Sequence, residues 1–309
     1  MSQTQVVVSV NPKAGRRSPM QRAEELCGHL QQKGFTPELL TNLDEVADKA
    51  NALHSSGVLR ALVGVGGDGT AATLVNRTLP GTPVTLLSAG NANLLAKHYR
   101  LPTKPAKLAE VIASGKVRTL DAGIARTDES QRLFLVMAGF GFDAQVVKDV
   151  HTRREERYRQ GHAKGAHVTN FSYMQPIVNT FLKYKFPKMT VECLDGPALT
   201  VPDCRWAFIF NINRYGWGLP LAPMAKDNDG TLDHVLFRGG TVFHGLFYTA
   251  LAQCFSLHRF LPKAELGQRL RYRITSAGSV PFQLDGDPGG ELPVEIEVMP
   301  GRFTFLVPG

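Results

Sequence analysis

The chain has 309 residues, 43% of them hydrophobic and 20% charged, which excludes a disordered or fibrous protein and leaves room for two folded domains. Its 35 Lys and Arg against 27 Asp and Glu leave a formal charge of +8, suited to a nucleic acid, an anionic membrane surface or a polyphosphate ligand. Four dispersed cysteines (Cys27, Cys193, Cys204, Cys254) without metal-ligand spacing argue against a zinc site or disulfide frame, no apolar run is long enough to span a membrane, and Met1 to Gln5 predict no signal peptide.

Val6 to Val10 reads as a short buried strand, followed by a polar turn, Asn11-Pro12-Lys13-Ala14-Gly15. Pro19 opens a helix that runs to about Lys33 and ends at Gly34. Strand Phe35 to Leu40 and helix Leu43 to His54 come next, then an apolar strand, Ala61 to Val65. A strand at Pro83 to Leu87, a helix from Asn93 to Tyr99 and another over Pro102 to Ser114 complete the first half. Strands alternating with helices of about a dozen residues predict βαβ units and a mostly parallel, Rossmann-like sheet. Ligands of such sheets lie beyond the carboxyl ends of the strands. Asn11 to Gly15, Thr41, Gly66 to Thr70 and Ser88 to Asn93 all follow strands and should converge on one crevice.

After Lys116 the pattern changes to short β runs separated by Gly, Pro, Asp and Asn turns. Strands are expected at Val117 to Ala125, Arg132 to Ala138, Met189 to Leu194, Arg205 to Asn211, Leu232 to Phe237, Arg269 to Thr275, Phe282 to Leu284, Val294 to Val298 and Phe303 to Val307. Apolar helical spacing marks Phe171 to Tyr184 and Val242 to Leu257. The expected architecture is an α/β domain over 1–122 and a β-rich, sandwich-like domain over 123–309, its extreme C-terminus free to pack back on the first.

Gly64-Val65-Gly66-Gly67-Asp68-Gly69-Thr70 joins a buried strand to a helix N-terminus, where free amides and the helix dipole hold phosphate. The string also fits G-x-G-x-x-G, but it follows about the third strand, and no ribose-binding acid stands about twenty residues on. Asp68 would repel a bare pyrophosphate and suits a nucleotide that arrives with Mg²⁺. Thr70 serves either as a helix cap or as a phosphate ligand, and Lys13 either as a phosphate partner or as a solvated turn residue. By itself, Leu284-Asp285-Gly286-Asp287 reads as a turn.

Five motifs in order make the chain resemble bacterial diacylglycerol-kinase-type lipid kinases, relatives of sphingosine and ceramide kinases. They are Val10-Asn11-Pro12-Lys13-Ala14-Gly15, Gly66-Gly67-Asp68-Gly69-Thr70, Ala89-Gly90-Asn91-Ala92-Asn93-Leu94, Asp229-Gly230-Thr231-Leu232-Asp233 and Leu284-Asp285-Gly286-Asp287. The second is shared more widely, with NAD kinases and phosphofructokinases. The resemblance implies ATP and Mg²⁺ as cofactors. The nucleotide would be held by Asn11, Pro12, Lys13, Ala14, Gly15, Thr41, Gly66, Gly67, Asp68, Gly69, Thr70, Asn91 and Asn93. It makes Asp287 the proton acceptor, Asp285 its close partner and Asp68 part of the catalytic set. It also implies a structural-type Mg²⁺ site at Lys226, Asp229 and Thr231. The chain departs from the pattern at Ala72-Thr73 (Asn-Glu in the family), Asn91 (Thr) and Asp287 (Glu).

The expected activity is phosphoryl transfer to a membrane lipid hydroxyl, diacylglycerol first. A sphingoid base, ceramide, phosphatidylglycerol or an isoprenoid alcohol stays open as acceptor, as does a non-catalytic nucleotide- or lipid-binding protein. Arg153, Arg154, Arg157, Arg159 and Lys164 suit peripheral contact between a cytoplasmic protein and an anionic membrane. No helix-turn-helix, RNP or zinc spacing supports nucleic-acid binding. Oligomeric state is not written in the sequence, and a homodimer is compatible with it.

Overall fold

The computed structural model describes residues 3–10, 19–90, 92–159, 184–216, 218–239, 241, 244, 248 and 257–309. Its contacts divide the chain into two compact units, Met1–Asp121 with Gly301–Gly309 and Ala122–Pro300.

The first unit carries β1 (Gln5–Val10), α1 (Pro19–Gln32), β2 (Thr36–Leu40), α2 (Leu43–Ser55), β3 (Leu59–Gly66), α3 (Asp68–Arg77), β4 (Pro83–Ser88), α4 (Leu94–His98) and α5 (Pro105–Ser114). The strands lie in the order β2-β1-β3-β4, and every pairing is parallel. Thr304 and Phe305 add a further parallel pairing to Pro83 and Val84 of β4. Both faces of this sheet are covered, which is why its strands are continuous apolar runs without alternation. Val6, Val8, Val10, Val63 and Val65 pack with Leu26 and Leu30 of α1 and Leu108 and Ile112 of α5. Val7 and Leu62 are equally buried, and α2 and α3 lie against β1 and β3. Asn42 caps α2, accepting the amides of Asp44 (2.8 Å) and Glu45 (3.3 Å).

The remaining elements are β5 (Val117–Arg126), β6 (Gln131–Phe134), β7 (Met137–Gly141), α6 (Phe142–Arg159), β8 (Met189–Cys193), β9 (Leu199–Cys204), β10 (Trp206–Phe210), β11 (Leu232–Phe237), β12 (Ala264–Arg269), β13 (Arg271–Ser276), β14 (Pro281–Leu284), β15 (Asp287–Glu291) and β16 (Val294–Leu306). In the second unit, β16, β13, β8 and β9 pair in that order, and β5 pairs with both β16 and β6. A second, antiparallel sheet runs β12-β11-β10-β7-β14-β15. Side chains of both sheets, among them Phe134, Val191, Tyr272 and Ile274 with Phe140, Ile209, Leu236 and Phe282, form one buried core, the signature of a sandwich.

Several elements differ from the sequence expectation. Arg132 to Ala138 is not one strand: it breaks at Leu135-Val136 into β6 and β7. The two last strands expected at Val294 to Val298 and Phe303 to Val307 are one, β16. Strands β9, β12 and β15 carry too many polar residues to have stood out. The expected helices at 171–184 and 242–257 fall almost wholly outside the described residues. Among the described residues no helix is long and apolar enough to cross a membrane.

Candidate active site

Strand β3 ends at Gly66 and α3 begins at Asp68, so the glycine-rich string is a direct strand-to-helix passage and not a wide loop. None of its glycines has a positive φ. They are there for space. A methyl group at Gly66 would collide with the Thr70 hydroxyl, and one at Gly64 would lie 2.9 Å from Leu74 Cδ1. Thr70 therefore sits over Gly66, while Gly67 is the N-cap of α3 and no side chain caps it.

The Ala89 to Leu95 segment closes on this passage. The Ala89 amide donates to Gly66 O at 2.8 Å, and Gly90 lies so near Gly67 that a methyl on it would stand 2.8 Å from Gly67 Cα. Asp68 fastens the two together. Its Oδ2 accepts the Leu94 amide at 2.8 Å and its Oδ1 the Leu95 amide at 2.9 Å. Helix α4 thus borrows the cap it lacks, because Asn93 at its start is left-handed (φ 48°) and makes no capping bond. Asp68 is only 8% exposed. Burial pushes its carboxyl above the ordinary value, against the pull of the Leu94 and Leu95 amides and Lys97. Each carboxylate oxygen keeps a lone pair beyond its one amide. Asn93 Nδ2 donates to Gly90 O at 2.7 Å, whereas Asn93 Oδ1 and Ser88 Oγ are buried with no partner among the described residues. Arg22 reaches from α1 to Ser88 O (2.7 Å) and Thr103 O (2.5 Å), holding the end of β4.

In the second unit Asp285 and Gly286 form a two-residue hairpin turn between β14 and β15, both left-handed (φ 54° and 87°) as such a turn demands. The Asp285 carboxylate accepts three backbone amides, Leu135 (2.7 Å), Val136 (2.8 Å) and Met137 (3.0 Å). This clasp accounts for the break between β6 and β7. Asp285, expected as the close partner of Asp287, thus has its carboxylate oxygens engaged by three amides and acts as an anchor for the hairpin. Asp287, at the start of β15, is 46% exposed in its side chain and meets His151 Nε2 of α6 at 3.2 Å through Oδ1. Arg132 holds the hairpin from below through Pro288 O (3.1 Å), Leu284 O and Asp287 O (both 3.4 Å).

A neighbouring cluster escaped the sequence reading. Tyr215 Oη donates to Asp143 Oδ1 at 2.5 Å and Gln283 Nε2 to Asp143 Oδ2 at 2.8 Å. Gln283 Oε1 accepts the Gly286 amide at 2.7 Å, so the cluster braces the hairpin turn. Burial drives the Asp143 carboxyl up, and burial beside Asp143 holds Tyr215 well above the usual phenol value. Gly139 leaves room for the carboxylate and amide that pass over it. The one visible signal was an aspartate two residues after the second of two closely spaced glycines, Gly139 and Gly141.

At the third acidic motif, Asp229 Oδ1 accepts the Thr231 amide (3.1 Å) and hydroxyl (2.8 Å). Gln268 Nε2 bridges Asp229 Oδ2 (3.4 Å) and Asp233 Oδ2 (3.3 Å). Burial pushes Asp233 up to about 6, and Asp229 adds to the rise. Lys226 is exposed. Among the described residues no three His, Cys, Asp or Glu side chains converge on a metal, so a cation here would need backbone carbonyls as well. Thr41 is exposed at the end of β2. Asn11, Pro12, Lys13, Ala14, Gly15 and Asn91 lie outside the described residues.

Residues 5–125 match the diacylglycerol kinase catalytic domain, and residues 137–307 match the YegS C-terminal NAD kinase beta sandwich-like domain. The chain belongs to the diacylglycerol-kinase-type lipid kinase family. A diacylglycerol kinase of Mycobacterium tuberculosis is 27% identical, over 98% of this chain and 95% of its own. Two solved structures share the fold of this lipid kinase family member. A diacylglycerol kinase from Bacillus anthracis str. Sterne aligns with a TM-score of 0.64 at 15% identity, covering 99% of this chain and 97% of that one. An NAD kinase from Archaeoglobus fulgidus, solved in complex with ATP, aligns with a TM-score of 0.50 at 13% identity, covering 99% and 93%.

Proposed function

We propose that this lipid kinase family member transfers the γ-phosphoryl group of ATP to the hydroxyl of a membrane lipid, with diacylglycerol as acceptor and phosphatidic acid as product. The observation that carries the reading is the closure of Gly66-Gly67-Asp68 on Gly90 to Leu95. It sets a helix N-terminus, approachable glycine backbone and, with no partner among the described residues, Ser88 Oγ and Asn93 Oδ1 at the carboxyl ends of β3 and β4. Phosphoryl transfer asks mainly for such positioning and charge stabilisation. The first unit binds the nucleotide through Gly66 to Thr70, Asn93 and Thr41, joined by Asn11 to Gly15 and Asn91. Asp287, the open carboxylate of the hairpin, takes the hydroxyl proton.

Mg²⁺ arriving with the nucleotide would neutralise phosphate charge. The remaining lone pairs of Asp68 suit it chemically. A second, structural Mg²⁺ fits Asp229 with carbonyls near Lys226 and Thr231, since a cation there would relieve the Asp229–Asp233 pair. The protein is cytoplasmic and rests on anionic membrane through Arg153, Arg154 and the basic residues that follow. No nucleic acid takes part.

The test is incubation of the purified chain with labelled ATP, Mg²⁺ and a panel of diacylglycerol, sphingoid base, ceramide, phosphatidylglycerol and isoprenoid alcohol. Labelled phosphatidic acid is expected. Label in another lipid would reassign the substrate, and nucleotide binding without any labelled lipid would make the chain a non-catalytic binder.

A further inference from the structure

The carboxylate read as the base has a partner that no motif announced. His151 lies on α6, which packs against β7, β14 and β15, and its Nε2 stands 3.2 Å from Asp287 Oδ1. We propose that His151 is a positioning residue for Asp287: its Nε2–H holds Oδ1 and leaves Oδ2 as the oxygen presented to the acceptor hydroxyl. The proposal rests on the reading of Asp287 as the proton acceptor.

The surroundings favour this geometry. Asp287 starts a strand immediately after the Asp285-Gly286 turn, and that turn is fixed at the backbone by the three amides on Asp285, by Gln283 and by Arg132. The backbone of Asp287 is therefore held while its side chain, 46% exposed, is held by His151 alone among the described contacts. A carboxylate that rotates freely presents either oxygen and spends most of its time out of line, whereas one pinned oxygen aligns the other. Because Oδ1 can only accept, Nε2 must carry a hydrogen.

The other charges near the pair are engaged elsewhere or lie a turn away on the same helix. Lys148, one turn back on α6, pairs with Glu291 of β15 at 3.0 Å, and Ser279 holds the other oxygen of Glu291. Arg154 and Glu155 lie one turn ahead on the same helix. Strands β7 and β14 offer no charged side chain, and Arg132 is spent on hairpin carbonyls. His151 is thus the cation-capable group in direct contact with the Asp287 carboxylate.

The experiment compares His151→Ala, His151→Gln, Asp287→Asn and the His151→Ala/Asp287→Asn double variant for kcat, KM for ATP and melting temperature. Asp287→Asn should lower kcat by about 10²-fold or more, and His151→Ala by about tenfold at unchanged KM for ATP. His151→Gln should recover most of that tenfold, because its amide N–H reaches the position of imidazole Nε2–H. The double variant should be no slower than Asp287→Asn alone, as expected when one residue acts through the other. His151→Ala at wild-type kcat, with Asp287→Asn crippled, would overturn the positioning role and leave the base assignment standing. Equal losses in the Ala and Gln variants, or additive losses in the double variant, would also overturn it. Near-wild-type Asp287→Asn would sink the base assignment itself.

Discussion

The carboxylate of Asp68 is hydrogen-bonded to the Leu94 amide, 2.8 Å away across 26 residues of sequence, and its other oxygen takes the next amide. The same group thus caps α4 and stands at the helix passage read as the nucleotide site. Removing it leaves two amides of a buried helix end unpaired.

Asp68→Ala should therefore lose about 2 kcal/mol of stability along with its turnover, because unpaired buried amides are costly. Alanine is not the cheap replacement here that it would be on an open turn, because Asp68 is buried. Asp68→Asn keeps one acceptor oxygen and should stay closer to wild type in urea unfolding, yet lose turnover as well. A well-folded Asp68→Asn with unaltered kinase activity would separate the carboxylate from the chemistry.

Asp285 and Asp287 should separate cleanly. Asp285→Ala strands three amides and is expected to cost about 3 kcal/mol, read as an earlier urea midpoint, with no recovery on adding Mg²⁺. Asp287 lies largely open, so Asp287→Glu should leave stability within about 0.5 kcal/mol and retain or raise kcat. Metal rescue of Asp285→Asn would contradict the anchoring role drawn from its contacts.

Gly66 and Thr70 form a matched pair. Gly66→Ala must displace the Thr70 hydroxyl and should cost about 1–3 kcal/mol, in the range of overpacked cores. Adding Thr70→Ala should return most of the stability by clearing the collision, while the KM for ATP stays raised. Stability unrestored in the double variant would place the strain elsewhere.

His234 gives a pH dependence of folding. The hydroxyl of Tyr272 donates to Leu232 O at 2.6 Å, so His234 Nδ1, 3.2 Å from that hydroxyl oxygen, must donate to it. Nε2 is then the bare nitrogen, buried with no partner among the described residues. Burial lowers the imidazole to about 4 from its ordinary 6.5. With the folded value below the unfolded one, the unfolded chain binds the extra proton, so this contribution is complete above the unfolded value and drains away as pH falls through 6.5 toward 4. The loss should approach about 3 kcal/mol. A replacement that cannot titrate, such as His234→Gln, should flatten the melting temperature over that window, whatever its absolute stability.

Binding to anionic vesicles should weaken as salt rises, each basic residue near the surface contributing about 1 kcal/mol. Replacing Arg153, Arg154 and Arg157 by Gln should weaken it further and spare activity on a short-chain, water-soluble acceptor. Salt-independent binding would point to an apolar contact instead.

The sequence by itself determined the architecture and the family. Continuous apolar strands alternating with helices can only be covered on both faces, and short β runs between turn residues can only close a core by stacking two sheets. The order of five short motifs carried the family, because each is a local string that needs no partner to be recognised. What the side chains of those motifs do was decided by residues far away in sequence. Asp285 reads as half of a carboxylate pair until Leu135, Val136 and Met137 bring their amides to it. Asp68 reads only as an acid at a phosphate-binding helix N-terminus until α4 arrives with an uncapped end. Asp143, Tyr215 and Gln283, and His151 beside Asp287, are single polar residues in unremarked stretches, and only strand pairing and the packing of α6 make neighbours of them. A carboxylate's chemistry depends on how many donors reach it and how much water remains, and both are properties of the folded chain.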